Sequence, residues 1–169
     1  RITKYLYGLS LFFIAVIGYG QEIERSIYIT ANTGSIKNQN ILNQIVNDAQ
    51  VFDISTLLIL GNSVDKKSLK ENTGEYEIKE QLEAISAFKD NAIFIPGNNE
   101  WAANGHRGVR SVEKYTQKNS KAKFYPHNSE PIKHHNLGDN IVLITIDSQW
   151  FLEDWNRHIY LNENSEIQN

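Results

Sequence analysis

Neither cysteine nor methionine occurs among the 169 residues. Without thiols the chain forms no disulfide, no thiolate zinc site and no cysteine nucleophile. The compartment stays open, since exported proteins also do without Cys. The lack of any Met, an initiator included, predicts a fragment of a longer chain. An excess of positive charge is missing too: 17 Lys and Arg stand against 20 Asp and Glu, a formal net charge of −3. A mildly acidic chain has no general electrostatic reason to bind nucleic acid or an anionic lipid surface. Also missing are a phosphate-cradling Gly loop, a dinucleotide fingerprint and the Gly-x-Ser-x-Gly turn of a hydrolase elbow. Ser148 beside Asp147 is therefore not read as a nucleophile.

The apolar run near the start is too short for a comfortable bilayer crossing. Arg1 and Lys4 precede an apolar stretch from Leu6 to Ile17, then Gly18-Tyr19-Gly20, then Gln21-Glu22. Basic, apolar and small residues in that order predict a secretory signal peptide over residues 1–20, with residues 21–169 as the exported part. Periplasm, cell envelope and extracellular space all fit. An uncleaved anchor or a buried core helix are the alternatives. Cleavage near Gly20 leaves 15 basic against 20 acidic residues, a balance of −5.

Beyond this segment the pattern alternates. Ser26 to Thr30 is β-branched and aromatic, with the length and flanks of a buried strand. Ile41, Leu42, Ile45, Val46 and Ala49 then recur at helical spacing. Thr56 to Leu60 reads as a strand buried on both faces. Ile78, Leu82, Ile85 and Phe88 mark a second helix, and Ala92 to Ile95 a third strand stopped by Pro96-Gly97. Strand, helix, strand, helix, strand implies right-handed crossovers and a largely parallel sheet. A more polar helix follows from Gly105 to about Asn119, with Val109, Val112 and Tyr115 as its buried stripe. Ile132 to Leu137 and Ile141 to Ile146 form a hairpin around Gly138-Asp139.

The apolar runs stop at small polar clusters: Ala31-Asn32-Thr33-Gly34, Gly61-Asn62-Ser63, Pro96-Gly97-Asn98-Asn99-Glu100-Trp101 and Asp147-Ser148. In α/β sheets, sites gather at the carboxyl ends of strands, so these clusters are the candidate site. Metal chemistry at such a place needs carboxylates and imidazoles, and here Asn holds most positions.

Taken together, these blocks resemble the N-terminal half of a calcineurin-like metallophosphoesterase, of an exported bacterial branch with an Asp-x-Gly first motif. The family's Gly-Asp-x-Gly corresponds to Ala31 to Gly34, its Gly-Asp to Gly61-Asn62, and its Gly-Asn-His-Asp/Glu to Gly97-Asn98-Asn99-Glu100. Leu143 to Trp150 is similar to a later strand and turn. The likeness covers roughly residues 25 to 160. It implies a layered α/β/β/α sandwich, here incomplete: strand, helix, strand, helix, strand, then the hairpin, without the later His motifs. It also implies hydrolysis of a phosphoester substrate by two Fe, Mn or Zn ions. Fused C-terminal envelope domains are a further possibility that rests on the resemblance.

The resemblance assigns metal positions to Asn32, Asn62 and Asn98, with Asp65 where some relatives carry a ligating Tyr. Asn62 stands where relatives place the carboxylate that bridges two cations and offsets their repulsion. Asn99 stands where relatives place the His that protonates the leaving oxygen, and an amide has no proton that titrates near neutral pH. Glu100 and Asp147 are expected to support the site from behind, with loop capping as the competing account for Asp147. A chain so altered is expected to lack a stoichiometric metal pair and phosphatase turnover. The alternative is a noncatalytic binding or interaction module on the same scaffold. For Asp65, an exposed loop carboxylate beside Lys66 and Lys67 is the competing account.

Other candidates have plainer readings. His134 and His135 are neighbours in a strand and point to opposite faces, so they cannot chelate one ion together. His106, Arg107 and Arg110 could reach an anion or form a solvated helix face. Trp101, Trp150 and Trp155 could wall a cleft, but large aromatics near turns serve as packing anchors.

Overall fold

The computed structural model describes residues 23–34, 39–65, 74–127, 130–138 and 140–153. The predicted signal segment, Lys66, Lys67, Asp139 and Trp155 lie outside the described residues. Among the described residues no helix is long and apolar enough to cross a membrane.

The elements run β1 (Ser26–Ala31), α1 (Gln39–Ala49), β2 (Ser55–Leu60), α2 (Gly74–Ala84) and β3 (Asn91–Ile95), then α3 (Asn98–Asn104), α4 (His106–Asn119), β4 (Lys123–Phe124), β5 (Ile132–Gly138), β6 (Ile141–Ile146) and α5 (Ser148–Leu152). β1 to β4 form one parallel sheet in chain order, and β5 and β6 form a separate antiparallel hairpin. The fold is thus mixed α/β around a parallel sheet, as the alternation of patterns implied.

Strand register sorts the side chains. Tyr28 pairs with Leu57, Leu57 with Ala92, Ile59 with Phe94 and Phe94 with Phe124. Paired residues in a parallel ladder share a face, and this one packs on Leu42 and Val46 of α1, Ile78 and Leu82 of α2, and Val109 and Val112 of α4. Phe94 and Phe124 have no exposed surface, and burying each such side chain contributes roughly 1.5–3 kcal/mol. α4 keeps the Val109, Val112 and Tyr115 stripe of the sequence pattern.

The opposite face is covered unevenly. Thr56, Leu58 and Ile93 are buried there, whereas Ile29 on β1 is 62% exposed. β1 is therefore an edge strand with one open face rather than the buried strand its composition suggested. Ile41 also departs from expectation: it faces solvent while Leu42, Val46 and Ala49 fill the core. Ile85 and Phe88 are buried as their spacing implied, but α2 ends at Ala84 and they sit in the turn beyond it.

The hairpin occurs where it was expected, with a register shift between Asn136 and Gly138. His134 is exposed and His135 half-buried, on opposite faces. The His135 ring stacks on Tyr125 at 3.9 Å between centroids, which joins the hairpin to the chain leaving β4.

Candidate functional site

The loops after β1, β2 and β3 lie against one another at the carboxyl ends of the sheet. Main-chain bonds join them: Asn32 N–H donates to Gly61 O at 3.1 Å, Gly34 N–H to Asn62 O at 3.0 Å and Gly61 N–H to Ile95 O at 2.8 Å. Glycine makes this approach possible. A Cβ on Gly34 would lie 2.7 Å from the Val64 backbone, and one on Gly97 would lie 2.8 Å from Gly61 Cα and Asn62 N. Asn32 and Asn62 both adopt left-handed backbone, φ 55 and 54°, a conformation that Asn tolerates better than other side-chain-bearing residues.

That backbone aims the two amides at each other. Asn62 Nδ2 donates to Asn32 Oδ1 at 2.7 Å, and Asn62 Oδ1 accepts the Asn99 N–H at 3.1 Å. Asn99 Nδ2 turns to Val64 O at 3.0 Å. Asn98 is exposed at the start of α3. Three of the four amide positions named from the sequence therefore meet in one hydrogen-bonded chain. Asp65 is exposed, and its N–H donates to Glu77 Oε2 at 2.8 Å.

A pair of divalent ions does not suit this donor set. The Asn62 oxygen and nitrogen are both engaged with neighbouring protein groups, and a neutral amide cannot offset cation repulsion as a bridging carboxylate does. Among the described residues there is no group of three or more His, Asp or Glu that could hold a metal ion.

The carboxylate nearest the amides serves the backbone. Glu100 has no exposed surface. Its Oε1 accepts from Ser63 N–H at 2.7 Å, Ser63 Oγ at 2.8 Å and Val64 N–H at 3.2 Å. Its Oε2 accepts from Gly97 N–H at 2.8 Å and Asn62 N–H at 3.0 Å. Consecutive N–H groups of residues 62 to 64 thus close around an internal anion, as backbone nests do. Glu100 thereby clamps the β2 loop to the start of α3.

One site-building residue, Gln81, escaped the sequence reading. Thr33 Oγ1 donates to Gln81 Oε1 at 2.6 Å, and Gln81 Nε2 donates to Ser63 O at 2.5 Å. Both side chains are buried. Gln81 lies three residues after Ile78 on the core stripe of α2, and a polar group at such a position must find partners. That was the available signal.

Asp147 links the hairpin to this centre. Its Oδ2 accepts the Trp101 indole N–H at 2.9 Å, while Oδ1 accepts Gln149 N–H at 3.1 Å and Trp150 N–H at 3.2 Å, capping α5. Burial raises its pKa to about 6, against the opposing bonds from Trp101, Trp150 and Gln149, and the Glu100 charge adds to the rise. Trp101 and Trp150 are buried anchors. Arg107 is exposed, as a solvated helix face requires. His106 is held below the usual His range by burial and by Arg110.

Beside the amides opens a cleft of about 430 Å³, bordered by Asn62, Asn98 and Ser148 at one end and by Leu58, Leu60 and Leu143 along its length. No family model, curated protein or solved structure matches the chain.

Proposed function

We propose that this chain carries an exported calcineurin-like metallophosphoesterase scaffold, the layered α/β/β/α sandwich, on which two-metal hydrolysis has been replaced by a neutral amide centre. It does not hydrolyse phosphoesters. The observation that carries this reading is the 2.7 Å bond from Asn62 to Asn32, at the position where a phosphoesterase of this kind needs a carboxylate between two cations. The order of the motif loops, their meeting at the strand ends and the Gly97-Asn98-Asn99-Glu100 turn support the scaffold.

Metal analysis after incubation with manganese, iron or zinc, followed by aryl phosphate hydrolysis, tests it. The expected result is substoichiometric metal and no turnover. Metal-dependent turnover that is suppressed by substituting Asn98 would overturn it.

A second reading is favoured by the cleft. Asn62, Asn98, Thr145 and Ser148 line the recess together with apolar residues, which suits a noncatalytic module that binds a neutral or anionic group through amide and hydroxyl hydrogen bonds.

A further inference from the structure

The hairpin that walls the cleft is held to the parallel sheet and its helices at two polar points. Leu143 to Ile146 of β6 border the cleft, and β5 pairs with β6 along their length. One point is the base of the hairpin, where Asp147 accepts the Trp101 indole N–H and donates its own N–H to Pro131 O at 2.9 Å. The other is its middle, where the His135 ring lies on the Tyr125 ring at 3.9 Å with 23° between the planes. The second hold is made by a side chain that changes charge near neutral pH.

Hydrogen bonding fixes the form in which His135 is held. Thr145 Oγ1 has one proton and donates it to Lys133 O at 3.2 Å. Its contact with His135 Nε2 at 3.5 Å is therefore one in which the ring N–H donates. In the neutral ring the proton thus sits on Nε2, and a second proton enters at Nδ1.

The surroundings resist that second proton. His135 is half-buried, so an imidazolium there forfeits part of its hydration. Lys133 stands two residues earlier on the same face of β5, His134 is its neighbour on the other face, Lys123 comes from β4, and His127 follows Tyr125 with its ring 5.9 Å from the tyrosine. All four act on His135 as like charges, and with burial they hold it below the usual His range. Glu130 is the acid at hand, and it pairs with Lys133 Nζ at 3.2 Å. Attraction of an imidazolium to the Tyr125 face acts the other way. It is one contact against two lysines, two imidazoles that charge in the same range, and lost hydration.

We propose that the stack of His135 on Tyr125 is an acid-released clasp: a proton added at His135 Nδ1 detaches the middle of the hairpin from the chain leaving β4, and the β6 wall of the cleft moves with it. A group that takes up a proton less readily when clasped than when open must open as protons are added. Asp147 at the base has the opposite sign, since its carboxyl, raised to about 6, binds a proton more readily in the folded state. Acid therefore frees the middle of the hairpin while its base stays pinned. The inference stands on the stack and its surroundings, independently of whether the amide centre once served metal chemistry.

Nuclear magnetic resonance of the whole isotope-labelled chain reads the clasp through the cross-ring contact of Tyr125 with His135. From about pH 7.5 to about pH 5 that contact should lose at least half its intensity, in step with the His135 ring titration. Contacts between β5 and β6, contacts between β2 and β3, and the Trp101 indole N–H signal should persist. His135→Phe should keep its contact with Tyr125 throughout. Lys123→Gln, at an exposed position, should keep more of the wild-type contact in acid, and His106→Gln should behave as the wild type. An undiminished contact with a fully protonated His135 ring, the same loss in His135→Phe, or an unchanged loss in Lys123→Gln would each overturn the proposal. Concurrent loss of the β2 and β3 contacts would overturn it too, since acid would then be unfolding the sheet rather than freeing the hairpin.

Discussion

Replacing Glu100 by Gln changes almost nothing in shape and a great deal in hydrogen bonding. The carboxylate receives five donors, three on Oε1 and two on Oε2. Gln can keep its oxygen toward Ser63 and Val64, but its NH₂ then faces the N–H groups of Asn62 and Gly97, donor against donor. Two bonds to a charged acceptor are lost, each with a net value of about 1.5–3 kcal/mol after exchange with water. The expected loss is about 3–6 kcal/mol, a large fraction of the roughly 5–15 kcal/mol that holds an ordinary domain together. Urea unfolding measures it, and amide exchange locates it: Asn62, Ser63 and Gly97 should lose protection ahead of the β2 and β3 strands. A loss below about 1 kcal/mol with an unchanged urea slope would show that the buried carboxylate does not organise these loops.

Two other perturbations have a defined sign. The folded-state pKa of Asp147 lies near 6, above its ordinary 3.8. A raised carboxylate pKa stabilises the fold fully below pH 3.8, and the contribution disappears as pH rises through about 6. The total is at most about 3 kcal/mol. Asp147→Asn removes the titration and should flatten the wild-type fall in unfolding free energy between pH 4 and 6.5; identical slopes for the two proteins would contradict the raised pKa of the buried Asp147. Two glycines separate backbone conformation from collision. Gly105 has φ 55° and ψ −140° with nothing near its missing Cβ, so Gly105→Ala should cost only the penalty of a backbone conformation reserved for glycine, about 1–3 kcal/mol. Gly34 has no positive φ, so the cost of Gly34→Ala in the same urea assay comes from the collision of its Cβ with the Val64 backbone at 2.7 Å; a loss below about 0.5 kcal/mol, the range of an ordinary surface substitution, would mean that the β1 and β2 loops are not packed as described.

Sheet strands and major helices were legible because their apolar periods are long and unbroken. β2 shows why: five of its six residues are buried, and a continuous apolar run reports that directly. β1 also reads as an apolar, β-branched run yet has an open face, since composition carries no information about which strand lies at an edge. β4 was missed because two residues cannot display a period. α3 and α5 were missed for a different reason. Each begins within a polar cluster read as a site loop, and α5 is only five residues long, too short to display a period after its Asp147 cap. The positions of Asn32, Asn62 and Asn99 could be named from the sequence, but their mutual bonding could not, because it depends on two left-handed residues in separate loops. Glu100 and Asp147 were named as supports, and Gln81 was overlooked because only the apolar positions of α2 were read.

The site separates two kinds of requirement that sequence motifs usually mix. Gly34, Gly97 and Glu100 hold three loops within van der Waals distance, and nothing about that task involves a cation. Under the proposed function, Asn32, Asn62 and Asn99 occupy the positions where a phosphoesterase places charged groups, and there the amide supplies something an acid could not. If both Asn32 and Asn62 were aspartates, the 2.7 Å contact would bring two anionic oxygens together, and only a proton or a cation between them would make it tolerable. With amides, the same contact is a donor meeting an acceptor. The bond between the two loops therefore sets no charge against another and needs no counter-ion.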